Sequence, residues 1–163
     1  MQFKAASLIR VDPDGKVATA AEPLAFPNGA VITPDGKTLI VGETFGRRLT
    51  AFTLGANGEL TERRVWAKLP LGTAPDGICL DQQGGVWVAN PLSPECIRVL
   101  EGGKVTDCVK LTQGGFACAL GGEDGRTLYV CTAKDSNPEN CAKNKLGCIE
   151  EVRVEHAGCL NPH

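Results

Sequence analysis

Three segments of the chain share one pattern, a strand, a tight turn and a second strand: NGAVITPDGKTLIVGE from Asn28, DGICLDQQGGVWVAN from Asp76 and ACALGGEDGRTLYVCT from Ala117. Their turns hold Asp35-Gly36, Gln83-Gly84 and Asp124-Gly125, where glycine supplies the positive φ that a tight hairpin needs. The turn glycines lie 48 and 41 residues apart. RLTAFTL and RRVWAKL follow the first hairpin, CIRVL and KVTDCVKL the second, and one clear strand, IEEVRVEH, the third. Four short antiparallel strands per period of this length mark the blade of a β-propeller. Upstream, SLIRV and KVATAAE flank Asp12-Pro13-Asp14-Gly15 and read as the outer two strands of a blade whose inner pair is missing.

The expected fold is therefore all-β, a section of about three propeller blades in a single half-propeller domain, 1–163. Its parts are outer strands at 8–22, blades at 26–70 and 74–111, and an incomplete last blade at 116–156 with a loop at 134–147. Propellers close with roughly 4 to 8 blades, and an open stack leaves surfaces that must be covered. A larger protein, or a second copy of the chain, has to supply the rest.

Composition agrees with this reading. Hydrophobic residues are 42% and charged residues 22%, the balance of a globular protein. Only 5% are aromatic, so the core must be built from Val, Leu, Ile, Ala and Cys. A net charge of -2 gives no basic face for nucleic acid. No apolar run approaches the ~20 residues that cross a bilayer, and MQFKAASLIRVDPDG has no apolar signal core. The expectation is a cytoplasmic protein with no membrane partner, whose natural N-terminus lies upstream if the chain is a piece of a longer one.

Of the eight cysteines, Cys79, Cys118 and Cys131 fall in apolar strand patterns, and Cys96 and Cys108 read the same way, as buried reduced thiols. No Cys or His spacing suits a zinc site. Cys141, Cys148 and Cys159 cluster near the C-terminus, where an oxidising compartment would permit one bridge.

Laid over one another by their turn glycines, the repeats put Asn28, Asp76 and Ala117 in one place, at the start of the inner strand. In a propeller that strand runs beside the central channel, so Asn28 and Asp76 would offer an amide oxygen and a carboxylate to one spot. Such donors suit a hard cation: calcium, magnesium or manganese. Pro27-Asn28-Gly29 and Pro75-Asp76-Gly77 are also ordinary turn sequences, the reading that composition alone favours. Against it stands the register, since a turn residue has no reason to recur at the channel mouth. Glu43 either faces the channel or pairs with Arg47 or Arg48. His156 and His163 lack the partners of a nucleophile triad, and Ser7, Ser93 and Ser136 lack a G-x-S-x-G setting.

FPNGAVITPDGKTLIVGETFGRRLTAF, APDGICLDQQGGVWVANP and FACALGGEDGRTLYVCTA, in this order, resemble the second half of the senescence marker protein, gluconolactonase and luciferin-regenerating enzyme family. The resemblance runs from Leu8 to about His156. It implies a six-bladed propeller with a divalent cation held by a glutamate, two asparagines and an aspartate. The asparagine of the family's PNG falls on Asn28 and the aspartate of its PDG on Asp76; the other two ligands belong to the family's first half. By resemblance the metal, calcium first with manganese, magnesium or zinc as alternatives, polarises the carbonyl of a sugar lactone or similar small ester. Asp76 is then both ligand and catalytic proton acceptor. Two rivals follow from the shared fold: a non-catalytic truncated module, and a phosphoester or fluorophosphate hydrolase. The strand count also suggests a homodimer, two sets of about three blades making a ring of six, with KVATAAE free to pair along the last repeat of the other copy.

Overall fold

The computed structural model describes residues 4–159. Thirteen strands and one short helix follow in chain order, and the strands form four antiparallel sheets. β1 (Ala6–Val11) and β2 (Val17–Leu24) make a hairpin. β3 (Pro27–Ile32), β4 (Thr38–Glu43), β5 (Arg48–Leu54) and β6 (Leu60–Lys68) form a meander. So do β7 (Ile78–Leu80), β8 (Val86–Asn90), β9 (Glu95–Val99) and β10 (Val105–Lys110). β11 (Gly114–Gly121), β12 (Thr127–Ala133) and β13 (Cys148–Arg153) make a three-stranded sheet. Gly36, Gly84 and Gly125 turn the first hairpin of each larger sheet with φ of 70°, 75° and 71°. Side chains there would be strained, which is why glycine holds all three.

The larger sheets stack face to face, and β8 of the middle one is packed on both sides. All five residues of β8 are buried, because this strand is covered on both faces. Val86 and Val88 pack with Ile40, Leu49 and Trp66 of the preceding sheet. Trp87 and Ala89, on the opposite face, pack with Leu128 and Val130 of the following one. A third cluster, Leu24 with Val41 and Phe52, seats the β1–β2 hairpin. A strand buried on both sides shows a continuous apolar run in place of alternation, and VWVAN is such a run. Asp81 and Arg98 are buried as an ion pair at 2.6 Å, the carboxylate also accepting from Gln83 and Gly85 N–H in the β7–β8 turn.

Two expectations need correction. The 134–147 loop contains a helix, α1 (Pro138–Asn144). Asn137 caps it by accepting from Glu139 and Asn140 N–H, Pro138 opens its first turn, and Lys145 closes it at φ 49°. Proline after a capping residue starts a helix; it breaks one only from inside. Cys108 and Cys131, expected in the core, are exposed, since period-two alternation turns both outward from β10 and β12. All eight cysteines are free: Cys141 Sγ donates to Asp135 O, Cys148 Sγ lies 3.2 Å from the Thr132 hydroxyl, and Cys159 N–H donates to Leu80 O. Among the described residues no helix is long and apolar enough to cross a membrane.

Candidate metal centre

The entries to β3 and β7 meet backbone to backbone. Pairing of β3 with β4 shifts between Pro27 and Ala30, which leaves Asn28-Gly29 as a bulge. Gly29 N–H then donates to Asp76 O at 3.0 Å. A Cβ on Gly29 would lie 2.6 Å from both that oxygen and Ile78 N, so only glycine permits the approach. Across this contact the exposed Asn28 amide lies close enough to the half-buried Asp76 carboxylate to favour its charged form. Burial raises the Asp76 carboxyl above its ordinary value, and the neighbouring Asn28 amide partly opposes that. The two residues singled out by register are therefore brought together.

The third repeat departs by one residue from its alignment. Gly77 N–H donates to Phe116 O at 2.9 Å, as Gly29 does to Asp76, so in this contact Phe116 stands where Ala117 was expected. The β11–β12 ladder runs one residue pair further from its bulge at Phe116 to its turn, from Cys118↔Val130 to Gly121↔Thr127, than β3–β4 does from Ala30↔Val41 to Ile32↔Leu39, which displaces the count by one. Neither side chain offers an oxygen.

Behind each entry a side chain at the end of the second strand reaches back to hold it. Glu43, fully buried, accepts from Ala25 N–H at 2.6 Å, from Arg48 twice at 2.9 Å, from the Thr50 hydroxyl at 2.5 Å and from Arg63 at 3.3 Å. Burial pushes its carboxyl up, but these bonds outweigh burial and bring it down to about 2. Asn90 does the same work for the next sheet. Its Oδ1 accepts from Ala74 N–H at 3.2 Å, and its Nδ2 donates to Gly72 O at 3.0 Å. Glu43 faces Arg48 and Asn90 faces Glu95 in matching registers of the two sheets. Of the alternatives read for Glu43, pairing with Arg48 is what the structure contains. Asn90 went unnoticed in the sequence, although its place at the end of an apolar strand matches that of Glu43. Thr44 Oγ1 adds a link between sheets, donating to Pro75 O at 2.7 Å.

A separate cavity of about 800 Å³ runs beside β3, β7 and β11 toward their turns, with Ala30, Ile32, Ile78, Leu80, Ala119 and Leu120 on its walls. It begins two residues past Asn28 and Asp76 and includes neither. Its lining carries Thr33, Cys79 and Cys159 among apolar residues and no carboxylate or amide side chain. Among the described residues no three His, Cys, Asp or Glu side chains gather as a metal site. Asn28 and Asp76 carry hard oxygen donors of the kind calcium takes; since calcium takes roughly six to eight oxygens, two side chains would fill only a part of its shell. His156 lies in the segment after β13, remote in sequence from this pair, and His163 is outside the described residues.

Residues 1–134 match the SMP-30/Gluconolactonase/LRE-like region. The chain is 29% identical over 160 residues to 6-deoxy-6-sulfogluconolactonase of Pseudomonas putida, covering 95% of this chain and 55% of that protein. It is 31% identical over 143 residues to regucalcin of Xenopus laevis, covering 85% and 48%. Among solved structures, the calcium-binding protein regucalcin of Agrobacterium tumefaciens superposes with a TM-score of 0.81 at 23% identity, covering 99% of this chain and 56% of the other. This last likeness is one of fold, an all-β arrangement of open sheets. The chain spans about half the length of the relatives it matches.

Proposed function

The chain belongs to the SMP-30/gluconolactonase/LRE-like family, and from that premise we propose that it forms part of a metal-dependent lactonase whose cation is held by Asn28 and Asp76. The observation that carries this reading is the contact of those two side chains across adjacent strand entries. The lactonase names of relatives such as the Pseudomonas putida enzyme support the reaction class. In this reading the sheets are blades at 26–70, 74–111 and 116–156, following outer strands at 8–22, in a ring of six.

When bound, a divalent cation supplies Lewis-acid polarisation of a carbonyl and a lowered water pKa. Asn28 would bind through its amide oxygen and Asp76 through its carboxylate. The half-buried Asp76 carboxylate is the proton acceptor of this reading. It takes the proton of the water whose oxygen bonds to the lactone carbonyl carbon. As the ring C–O bond breaks, that proton passes to the departing alkoxide, giving the hydroxy acid. Ala25 N–H on Glu43 and Ala74 N–H on Asn90 hold the two ligand-bearing turns in place.

Calcium, manganese or zinc added to the folded chain is expected to raise its melting temperature, because a ligand bound only by the native state stabilises it by mass action. Asp76→Ala should abolish the shift and leave the circular dichroism spectrum intact. A metal response unchanged in that variant would sink the assignment.

A second copy completes the ring. Ile9, Val11 and Val17 on the β1–β2 hairpin and Ile149 on β13 are more than half exposed, at the two ends of the stack. Apolar residues so placed favour association. Sedimentation at micromolar concentration is expected to give a dimer; a compact monomer would rule it out.

A further inference from the structure

The loops beside Asn28 and Asp76 carry large apolar side chains that keep much of their surface exposed. Phe26 is 46% exposed and Phe45 62%, with ring centroids 4.8 Å apart. On the other flank Leu71 is 93% exposed and Leu92 65%. The backbone ties both pairs to the polar site. Thr44 N–H donates to Phe26 O and Phe45 N–H to Ala25 O, while the Thr44 hydroxyl donates to the carbonyl of Pro75, next to Asp76. The Asn90 side chain bonds to Gly72 O and Leu92 N–H, so Leu71 and Leu92 are held by the group that pins the Asp76 turn. Phe45 and Leu92 occupy matching places, two residues past Glu43 and Asn90.

Phe26 is the least expected of these residues. Its φ is 61°, in the left-handed region that bulky side chains rarely adopt. Glycine or asparagine would sit there at lower cost, and the ring gains little burial in return. In a chain with five phenylalanines, one is kept exposed at a strained position two residues from the candidate ligand Asn28. Strain retained without a gain in packing points to binding.

We propose that the ligand of this site is a lactone or ester bearing an apolar arm, alkyl or aryl, and that Phe26 and Phe45 hold the arm while Asn28 and Asp76 face the ester group. The proposal rests on the hydrolase reading above and narrows its substrate class away from bare polyhydroxylated rings. A polyhydroxylated ring offers two phenyl faces only the C–H patches between its hydroxyls, whereas an alkyl arm loses water against them along its whole length.

The test uses the 163-residue chain with calcium and two probes, δ-valerolactone and δ-decalactone, which share a six-membered ring; the second adds a pentyl arm. Ligand-observed NMR titration is expected to show δ-decalactone binding roughly 30-fold tighter, the ratio that half-covering five carbons provides. Phe26→Gly, which also removes the backbone strain and so protects folding, and Phe45→Ser should each bring the ratio below about five. Equal affinity for the two lactones overturns the proposal, and so does a preference unchanged in both phenylalanine variants. Absence of binding by either lactone up to its solubility limit overturns it as well. A preference lost in Ile32→Ser and kept in Phe26→Gly would put the arm in the apolar cavity and overturn the assignment to the two rings. The hydrolase reading fails separately, through an Asp76→Ala chain that responds to calcium like the parent.

Discussion

Glu43→Ala is expected to lower the melting temperature by on the order of 10 °C and to weaken the stabilisation by calcium. The carboxylate is wholly buried and accepts from Ala25 N–H, Thr50, Arg48 and Arg63. Removing one partner of a buried charge network costs roughly 3 kcal/mol or more, and each kcal/mol moves a domain of this size by about 2–4 °C. Arg48 and Arg63 are one-third exposed and can turn to water. Ala25 N–H has no such outlet, so much of the loss falls on the turn that leads to Asn28. A thermal melt of Glu43→Ala within a degree or two of the parent would show that the network contributes little. Glu43→Gln separates shape from charge, since the amide oxygen can still accept from Ala25 while the attraction to two guanidinium groups is gone.

The same carboxylate sets a pH dependence of definite sign. Its ordinary value is 4.5 and the fold holds it at about 2. A depressed acid contributes stability that is present above the ordinary value and lost as pH falls through the folded one. Stability should therefore decline from about pH 4.5 toward pH 2, and that part of the decline should be missing in Glu43→Gln. Acid-titration curves of the two proteins, followed by circular dichroism, give the comparison. Asp76 is shifted the other way, because burial dominates there; its protonation on acidification relieves a cost and cannot be the source of the loss.

The strand-turn-strand units were legible because their signals are local. Positive-φ glycines at Gly36, Gly84 and Gly125 mark the turns, and a fixed spacing from those glycines leads to Asn28 and Asp76, which do meet. Spacing fails where a ladder lengthens: β11–β12 has one more residue pair between entry and turn than β3–β4, no compositional mark shows it, and the count fell on Ala117. Pro138 was misleading for a related reason: its effect depends on whether it stands at the start or in the interior of a helix, and Asn137 decides that. The roles of Glu43 and Asn90 are tertiary. A carboxylate whose partners come from Ala25, Arg48 and Arg63 has no sequence signature, since those residues lie 18, 5 and 20 positions away. Cys131 followed the apolar run around it in the sequence, yet the strand's alternation decides its face.

Gly29→Ala is expected to abolish the calcium response and to destabilise the chain by about 1–3 kcal/mol or more, the usual cost of overfilling a packed contact. The added Cβ would meet Asp76 O and Ile78 N at 2.6 Å, and both are backbone atoms that no rotamer change can move. Relief requires the entries of β3 and β7 to separate, which breaks the bond from Gly29 N–H to Asp76 O and draws Asn28 away from the Asp76 carboxylate. Gly36→Ala is the matched comparison. It stands on the same first hairpin with φ 70° and open space around it, so alanine there incurs a backbone penalty of roughly 1–2 kcal/mol without touching the contact. Both variants should melt below the parent, but only Gly29→Ala should lose the calcium shift. If Gly29→Ala keeps it, the distance between the two strand entries does not set the site, and Asn28 and Asp76 cannot act on one ion. If both variants lose it, the response follows overall stability and the contact has no special part in it.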